Sequence, residues 1–396
     1  MSLTSTPSSN RLHIGIFGRR NSGKSSLINA ITNQNTALIS DIAGTTTDPV
    51  YKAMEIYGIG PCMLIDTAGF DDEGELGALR VEKTRDALAK TDVAILVICG
   101  TDLTMEAEWV TGLKKQGTPV IAVINKADLL DNVPELSNAV QKEFGITPLI
   151  VSAKERTGIR ELVDAVIRRL PEDYEKKSIT GDLVQEGDLV LLVMPQDIQA
   201  PKGRLILPQV QTLRDLLDHK CLVMSVTTDK LSQALATMTI PPQLIITDSQ
   251  AFAEVWAKKP PESKLTSFSV LMAAVKGDIT EFTAGASAID RLTEHSRVLI
   301  AEACTHVPLE EDIGRVKLPR MLRKKAGSLL TVDVVSGPNF PNDLSGYDLI
   351  IHCGACMFNR RYVLSRIAKA REAGVPITNY GVALAALNGI LNKIQL

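Results

Sequence analysis

An eight-residue segment of the form G-x-x-x-x-G-K-[ST] constrains the fold of this chain more than any other feature. The segment stands between an apolar run, His13–Phe17, and a helix-like stretch, Ser26–Ile31. Backbone amides at the start of a helix can surround phosphates, and glycines let the chain curl around them. We therefore predict a phosphate-binding loop in which Lys24 neutralises the β- and γ-phosphates and the Ser25 hydroxyl reaches Mg²⁺. The residues of this loop are Gly18, Arg19, Arg20, Asn21, Ser22, Gly23, Lys24 and Ser25.

Further motifs along the chain predict that the nucleotide is GTP. The segment Asp66–Gly69 follows an apolar run, where a carboxylate can reach Mg²⁺ and a glycine can bend toward the γ-phosphate. In the segment Asn125–Asp128, the Asp128 carboxylate can accept hydrogen bonds from the guanine N1–H and 2-amino groups, a donor pair that adenine lacks. Ser152–Lys154 closes the base pocket, and a threonine of Gly44–Asp48 should contact Mg²⁺.

These motifs resemble the translation-factor-related GTPases, in the branch that contains the tRNA-modifying GTPase MnmE and the ribosome-assembly GTPase Era. By this resemblance Thr46 contacts Mg²⁺, with Thr45 as the alternative, and Asn21 either holds K⁺ beside the phosphates or only stabilises the loop. Phe70 stands where Ras-like enzymes keep a water-orienting glutamine, so the attacking water must be positioned otherwise. The predicted catalytic residues are Lys24, Thr46 and Asn21. The predicted nucleotide-binding residues are Gly18, Asn21, Ser22, Gly23, Lys24, Ser25, Ser26, Thr45, Thr46, Asp66, Gly69, Asn125, Lys126, Asp128, Ser152, Ala153 and Lys154.

A second group of chemically active residues lies in the last third of the chain. Cys304-Thr305-His306 is separated by 45 residues from His352-Cys353-Gly354-Ala355-Cys356, and each segment ends an apolar run. Sites in open α/β sheets form beyond the carboxyl ends of strands, so the three cysteines should come together there. We also expect Cys356 to begin a helix over Met357–Arg371, whose dipole would favour a thiolate.

The residue types at this second site leave several chemistries open. A structural zinc ion and an iron–sulfur cluster fit three cysteines and a histidine about equally well, and a redox dithiol at Cys353 and Cys356 is a third reading. The other cysteines, Cys62, Cys99 and Cys221, lie in apolar runs without ligand neighbours, so we interpret them as small core residues.

Short apolar runs alternate with helix-like stretches along almost the whole chain, which predicts an α/β fold with mainly parallel sheets. One of the expected strands lies over Ser267–Leu271. Two charged, proline-containing segments, PEDYEKK and KKPPESK, are expected to separate domains. We therefore predict a P-loop GTPase domain followed by two further α/β domains. The predicted parts are a disordered tail at 1–10 and domains at 11–173, 178–262 and 264–396.

A GTPase domain followed by C-x-H and H-C-x-x-C closely resembles the HydF family, the GTPases of FeFe-hydrogenase maturation. The resemblance covers the whole chain and implies that 178–262 is a dimerisation domain and that 264–396 binds a cluster. It implies that Cys304, Cys353 and Cys356 ligate a 4Fe–4S cluster. His306 and His352 are the candidates for an exchangeable fourth ligand, and Glu302 is a weaker one.

The same resemblance implies a carrier rather than a synthase. A homodimer would accept a transient di-iron subcluster built by the radical-SAM maturases HydE and HydG, and would deliver it to apo FeFe-hydrogenase. The chain itself lacks the C-x-x-x-C-x-x-C motif of a radical-SAM enzyme.

Composition bears on the rival functions. Lys+Arg is 43 and Asp+Glu is 46, giving a net charge of −3, and aromatic residues make up only 4% of the chain. A nucleic-acid partner is therefore not expected, which counts against an RNA-associated GTPase, the main alternative. A zinc-stabilised GTPase that only binds other proteins is a third reading. The polar N-terminus and the lack of a long apolar run predict a cytoplasmic location without a membrane partner.

Overall fold

The computed structural model describes residues 6–32, 49–69, 75–170, 178–195, 205–303 and 312–396. The chain divides into two compact units, Met1–Glu175 and Lys176–Leu396. The first unit contains the predicted GTPase domain, and the second contains both of the later predicted domains. None of the helices in the described ranges is long and apolar enough to span a bilayer.

The first unit is built on one six-stranded sheet among the described residues. The order is β2-β3-β1-β4-β5-β6, in which β2 is antiparallel to β3 and all other neighbours are parallel. The strands are β1 (Leu12–Gly18), β2 (Val50–Ile56), β3 (Gly60–Asp66), β4 (Val93–Ile98), β5 (Val120–Ile124) and β6 (Leu149–Ile150). The helices are α1 (Lys24–Thr32), α2 (Glu75–Ala89), α3 (Thr104–Lys115), α4 (Val133–Phe144) and α5 (Ile159–Ile167).

The central strands of this sheet are buried on both faces. Strands β1, β4 and β5 are buried along their whole length. Leu27 and Leu162, from α1 and α5, belong to one apolar core cluster, and Trp109 and Val140, from α3 and α4, belong to another. Strands of a parallel sheet are covered by helices on both faces, so their sequences are continuous apolar runs. Strand β2 was not predicted, because it lies at the edge and is only partly buried.

The second unit contains two four-stranded sheets among its described residues, and every strand pairing in them is parallel. Their orders are β10-β9-β7-β8 and β12-β11-β13-β14. The strands are β7 (Leu189–Val193), β8 (Leu222–Val226), β9 (Leu244–Thr247), β10 (Lys264–Ser267), β11 (Arg297–Glu302), β12 (Thr331–Ser336), β13 (Leu349–His352) and β14 (Ile377–Asn379). The helices are α6 (Leu207–Asp218), α7 (Leu231–Thr237), α8 (Phe252–Lys258), α9 (Phe268–Lys276), α10 (Ile279–Ala286), α11 (Leu318–Ala326), α12 (Arg360–Glu372) and α13 (Tyr380–Leu387). The predicted α/β class with mainly parallel sheets is confirmed.

The structure corrects one strand and two boundaries predicted from the sequence. The strand expected over Ser267–Leu271 is wrong, because β10 ends at Ser267 and the Ser267 side chain accepts a hydrogen bond from the Val270 amide, capping α9. Strand β10 pairs with β9, so the first sheet of this unit continues past the boundary predicted at 262–264. The predicted disordered tail is also too long, because Ser8–Asn10 forms a helical turn.

The two sheets of the second unit share one hydrophobic core. Leu191 and Ile245 from the first sheet belong to the same buried cluster as Ile300 and Ile351 from the second. Helix α9, directly after β10, contributes Val270 to that cluster. The division into a dimerisation domain and a cluster domain therefore stays a prediction about function, whereas the packing is continuous.

The close contact between α10 and β14 predicts that substitution of Gly285 lowers the stability of the protein. A Cβ atom there would collide with the backbone carbonyl of Ile377, so Gly285→Ala forces the helix away from the strand. Overpacking of this kind costs about 1–3 kcal/mol. Calorimetry should show a melting temperature lowered by about 2–4 °C for each kcal/mol.

Gly112→Ala is the matched control, because a Cβ atom at this position of α3 meets no atom within 4 Å. Helix propensity alone should stabilise that variant by up to about 1 kcal/mol. A Gly285→Ala chain as stable as the wild type would show that α10 and β14 are not packed this closely.

Candidate functional site

The predicted phosphate-binding loop joins the end of β1 to the start of α1. Asn21 and Gly23 have φ angles of 58° and 92°, in the left-handed region that favours glycine and tolerates asparagine. The Lys24 ammonium donates hydrogen bonds to the carbonyl oxygens of Gly18 at 3.0 Å and Arg19 at 2.8 Å. The lysine that would neutralise phosphate charge is thus held by the loop itself.

Two predicted Mg²⁺ ligands lie in direct contact beside this loop. The Ser25 hydroxyl donates a hydrogen bond to Asp66 Oδ2 at 2.7 Å, joining the first turn of α1 to the end of β3. Burial raises the pKa of Asp66, and the hydrogen bond from Ser25 and the charge of Lys24 act in the opposite direction. Hydroxyl and carboxylate oxygens suit Mg²⁺, so the pair fits this ion. The predicted threonines, Thr45 and Thr46, lie outside the described residues.

The side chain of Asn125 connects the phosphate-binding loop to the base-binding motifs. Its amide nitrogen donates to the Ser22 carbonyl oxygen at 2.9 Å, and its carbonyl oxygen accepts from the Ala153 amide at 3.1 Å. The same amide nitrogen explains why position 23 is a glycine, because a Cβ atom at this position would collide with that nitrogen. We predicted Asn125 as a nucleotide-binding residue and missed this connecting role, although a buried asparagine must satisfy its polar groups.

The residues predicted to recognise guanine are also brought together. The Ser152 hydroxyl donates to Asp128 Oδ1 at 2.6 Å and accepts from the Glu155 amide at 3.1 Å. The hydrogen bond from Ser152 lowers the pKa of Asp128, which favours the carboxylate form that can accept the two guanine donors. Lys126 has a φ angle of 59°, and the side chain of Lys154 is largely exposed.

One functional contact of the loop was not predicted. The Arg19 guanidinium donates to Glu106 Oε1 at 2.9 Å and to Asp102 Oδ2 at 3.0 Å, which fixes the loop against the start of α3. Glu106 is 2% exposed, and its hydrogen bond raises the pKa of Arg19. The partners are 83 and 87 positions away in sequence, so no local pattern reveals them.

The second predicted site begins at the adjacent carboxyl ends of β11 and β13. Cys353 Sγ accepts hydrogen bonds from the backbone amides of Ala303 at 3.0 Å and Ala355 at 3.4 Å. Ala303 directly precedes Cys304 in the chain, but Cys304 and His306 lie outside the described residues. Burial raises the pKa of the Cys353 thiol to about 11. No group of three candidate metal ligands is found among the described residues.

The helix that follows this loop does not begin where the sequence predicts. Helix α12 begins at Arg360, four residues after Cys356, because the Asn359 side chain caps it by accepting from the Tyr362 amide. The expected helix start at Cys356 is therefore wrong.

The hydrogen bonds of His352 argue against the predicted role of fourth ligand, because both of its ring nitrogens are engaged. Arginine can only donate, so Nε2 accepts from Arg366 Nη1 at 3.1 Å, and Nδ1 must donate to the Cys353 carbonyl oxygen at 2.9 Å. Burial and the charge of Arg366 lower the pKa of His352 to about 3.

The weaker candidate, Glu302, is engaged as well. Its Oε2 accepts from Arg315 Nη2 at 2.9 Å and from the Ser336 hydroxyl at 3.1 Å. Tyr380 donates to the other oxygen at 3.4 Å. Glu302 would therefore have to give up an ion pair before it could bind a metal.

The cysteines assigned to apolar cores fall into two groups. Cys62 and Cys221 are buried, as predicted, and burial raises the pKa of the Cys62 thiol to about 12. Cys99, one residue beyond β4, is only half-buried, so its assignment as a core residue is not supported.

The first third of the chain and the remainder match different protein families. Residues 13–126 match the family described as 50S ribosome-binding GTPase. Residues 179–277 match the hydrogen maturase F dimerization domain, and residues 280–395 match the hydrogen maturase F tetramerization domain. These last two matches together cover more than half of the chain. The chain belongs to the HydF family. The predicted resemblance to that family is thereby confirmed, and the HydF-family chain carries a GTPase domain.

Individual relatives of this HydF-family chain are similar to part of it. The tRNA modification GTPase MnmE of Heliobacterium modesticaldum is 40% identical over 159 residues, 39% of this chain and 33% of the relative. GTPase Der of Mycoplasmopsis agalactiae is 32% identical over 194 residues, 45% of this chain and 44% of the relative. The chain thus spans about a third of the length of the MnmE proteins that it matches.

Among solved structures, Era in complex with MgGDPNP and nucleotides of 16S ribosomal RNA aligns with a TM-score of 0.36 and 21% identity. That alignment covers 54% of this chain and 93% of the Era chain.

The connecting role of Asn125 predicts a loss of nucleotide affinity in Asn125→Ala. The change leaves the buried Ser22 carbonyl and the half-buried Ala153 amide without their partner, at about 1–3 kcal/mol for a fully buried unsatisfied group. We expect guanine-nucleotide binding to weaken by tenfold or more in a fluorescence titration. Asn138→Ala, an exposed position of α4, is the control and should bind as the wild type does. Unchanged affinity in Asn125→Ala would contradict the connecting role.

Proposed function

We propose that this HydF-family chain is a GTP-hydrolysing scaffold that binds a 4Fe–4S cluster and delivers a di-iron precursor to apo FeFe-hydrogenase. Family membership and the GTPase domain support the coarser part, a GTPase role in hydrogenase maturation. The observation that carries the cluster part is the contact between the Ala303 amide and Cys353 Sγ. It brings the backbone directly before Cys304 next to the C-x-x-C turn.

The GTP half of the proposal assigns a role to each described residue of the nucleotide site. Lys24 stabilises charge on the β- and γ-phosphates, and Ser25 and Asp66 hold Mg²⁺, which neutralises further phosphate charge. Asp128 accepts from the guanine base while Ser152 orients it. Thr46 completes the Mg²⁺ site by analogy with related GTPases, and Asn21 holds K⁺.

The cluster half of the proposal fits the chemistry of the donors. Two backbone amides donate to Cys353 Sγ, an arrangement that stabilises the negative charge of a metal-bound thiolate. Cys304, Cys353 and Cys356 would hold three irons, which leaves the fourth open to a bridging group. His306 remains a candidate for that position, whereas the hydrogen bonds of His352 argue against it.

The proposed partners follow from family membership. The chain would form a homodimer through residues 178–262, and it would bind its cluster within residues 264–396. It would work in the cytoplasm with the radical-SAM maturases HydE and HydG and with apo FeFe-hydrogenase. The descriptions of the matched domains support self-association.

If Asn21 holds K⁺, GTP hydrolysis should depend on the monovalent cation. A cation beside the phosphates stabilises the transition-state charge, so we expect turnover about tenfold faster or more in K⁺ than in Na⁺. Asn21→Ala should remove most of this difference, while Asn29→Ala, an exposed position of α1, should keep it. Equal rates of phosphate release in the two salts would exclude the K⁺ role.

The cluster assignment predicts the iron content of the protein. Wild-type chain reconstituted anaerobically should be brown and contain about four iron and four sulfide per chain. Cys353→Ser and Cys356→Ser should lose most of the iron yet keep GTP turnover. Cys221→Ser, a buried position of the same unit, is the control and should retain the cluster. A colourless wild type with one bound zinc would refute the assignment.

The proposed delivery of the di-iron precursor is tested separately from binding of the 4Fe–4S cluster. Mixed with apo FeFe-hydrogenase after loading by the maturases, wild-type chain should generate hydrogen evolution, and Cys353→Ser should not. Full activation by the serine variant would make the cluster dispensable and the scaffold mechanism wrong.

A further inference from the structure

Behind the C-x-x-C turn, helix α12 buries an arginine in an unusual setting. Arg366 is 1% exposed, and its guanidinium carbon lies 4.7–4.9 Å from three ring centroids. These rings belong to Phe340, Phe358 and Tyr362. Within the described ranges Arg366 has no carboxylate partner, and its hydrogen bonds go to neutral groups. A buried charge without an opposite charge is costly, so this one calls for an explanation.

The hydrogen bonds of Arg366 lead to the predicted cluster ligand. Nη2 donates to the Gly337 carbonyl oxygen at 2.5 Å, which anchors the guanidinium, and Nη1 donates to His352 Nε2 at 3.1 Å. The imidazole is therefore the neutral Nδ1–H form, and it donates to the Cys353 carbonyl oxygen at 2.9 Å. Asn379 donates to that same oxygen at 3.2 Å. A chain of hydrogen bonds from the Arg366 guanidinium through His352 thus holds the peptide after Cys353 in place.

We propose that Arg366 is a positioning residue, which orients the Cys353 ligand through His352 and raises the reduction potential of the cluster through its buried positive charge. The inference rests on the proposed function, because it takes Cys353 to be a cluster ligand. Reduction adds one negative charge to a cluster that already carries thiolates. A fixed positive charge in a low-dielectric interior therefore favours the reduced form.

The aromatic residues around Arg366 explain why an arginine suits this position. The guanidinium is planar, stays protonated and stacks on aromatic rings, so three rings can hold it without an acidic partner. An acidic partner would cancel the charge that the cluster senses. If Arg366 had a purely structural role, its hydrogen bond to Gly337 would be sufficient. Its replacement would then leave the reduction potential of the cluster unchanged.

The test is a redox titration of the reconstituted wild type and two variants, followed by electron paramagnetic resonance. Arg366→Gln removes the charge but keeps a donor, and at a fixed potential the ratio of reduced to oxidised cluster should fall about tenfold, equivalent to about 59 mV. Lys369→Gln, an exposed position of the same helix, removes the same net charge and should leave the ratio unchanged.

Two results of the titration would overturn the proposal. One is a fully loaded Arg366→Gln chain that titrates as the wild type does. The other is a Lys369→Gln chain that falls as far as Arg366→Gln, because the net charge of the chain, and not the buried charge of Arg366, would then be the cause.

A measurement without iron keeps the proposal testable if Arg366→Gln does not fold. Nitrogen resonances of histidine-labelled wild-type apo-chain should show His352 as the Nδ1–H tautomer with an acceptor at Nε2. The Nε2–H tautomer would contradict the proposed chain of hydrogen bonds. Wild-type chain that takes up no iron would instead contradict the proposed function, so the two failures are distinguishable.

Discussion

Parallel strands that are buried on both faces can present functional groups only where they end, and this constraint organises both halves of the molecule. The phosphate-binding loop follows β1, Asp66 ends β3, and Asn125 follows β5. In the second unit, Ala303 follows β11 and Cys353 follows β13. Because the strands are parallel, their carboxyl ends lie along one edge of each sheet. Residues that are far apart in sequence meet there without any long loop having to bring them together.

Polar groups at these edges are buried, and each is stabilised by a specific partner. Asn125 satisfies both ends of its amide, and Glu302 is paired with Arg315. His352 uses both ring nitrogens. Leaving one such group without its partner costs more than an average hydrogen bond contributes, so these contacts also define which conformation the site adopts. The geometry of the sites is therefore set mainly by residues next to the predicted ligands.

Local patterns in the sequence predict the strands and the motifs well, because an apolar run and a glycine-rich loop each have a direct physical cause. They fail where one pattern allows two structures, as at Ser267–Leu271, where a short apolar run belongs to a capped helix. They also fail for partners chosen by the fold. Arg19 with Glu106 and His352 with Arg366 are contacts across elements, and the sequence marks neither pair. The hydrogen bonds of His352, which argue against its predicted role as a ligand, could not be foreseen for this reason.

The shared core of the second unit has a consequence for how its roles can be assigned. The family boundary between residues 277 and 280 falls where Phe282, Val270 and Ile300 pack into one cluster. A gene cut at that point would yield two fragments with apolar faces left uncovered, and such fragments aggregate or lose unique structure. The two sheets must therefore be kept together in any recombinant fragment of this chain. The proposed self-association and cluster binding are therefore better tested by point substitution, because truncation would damage both.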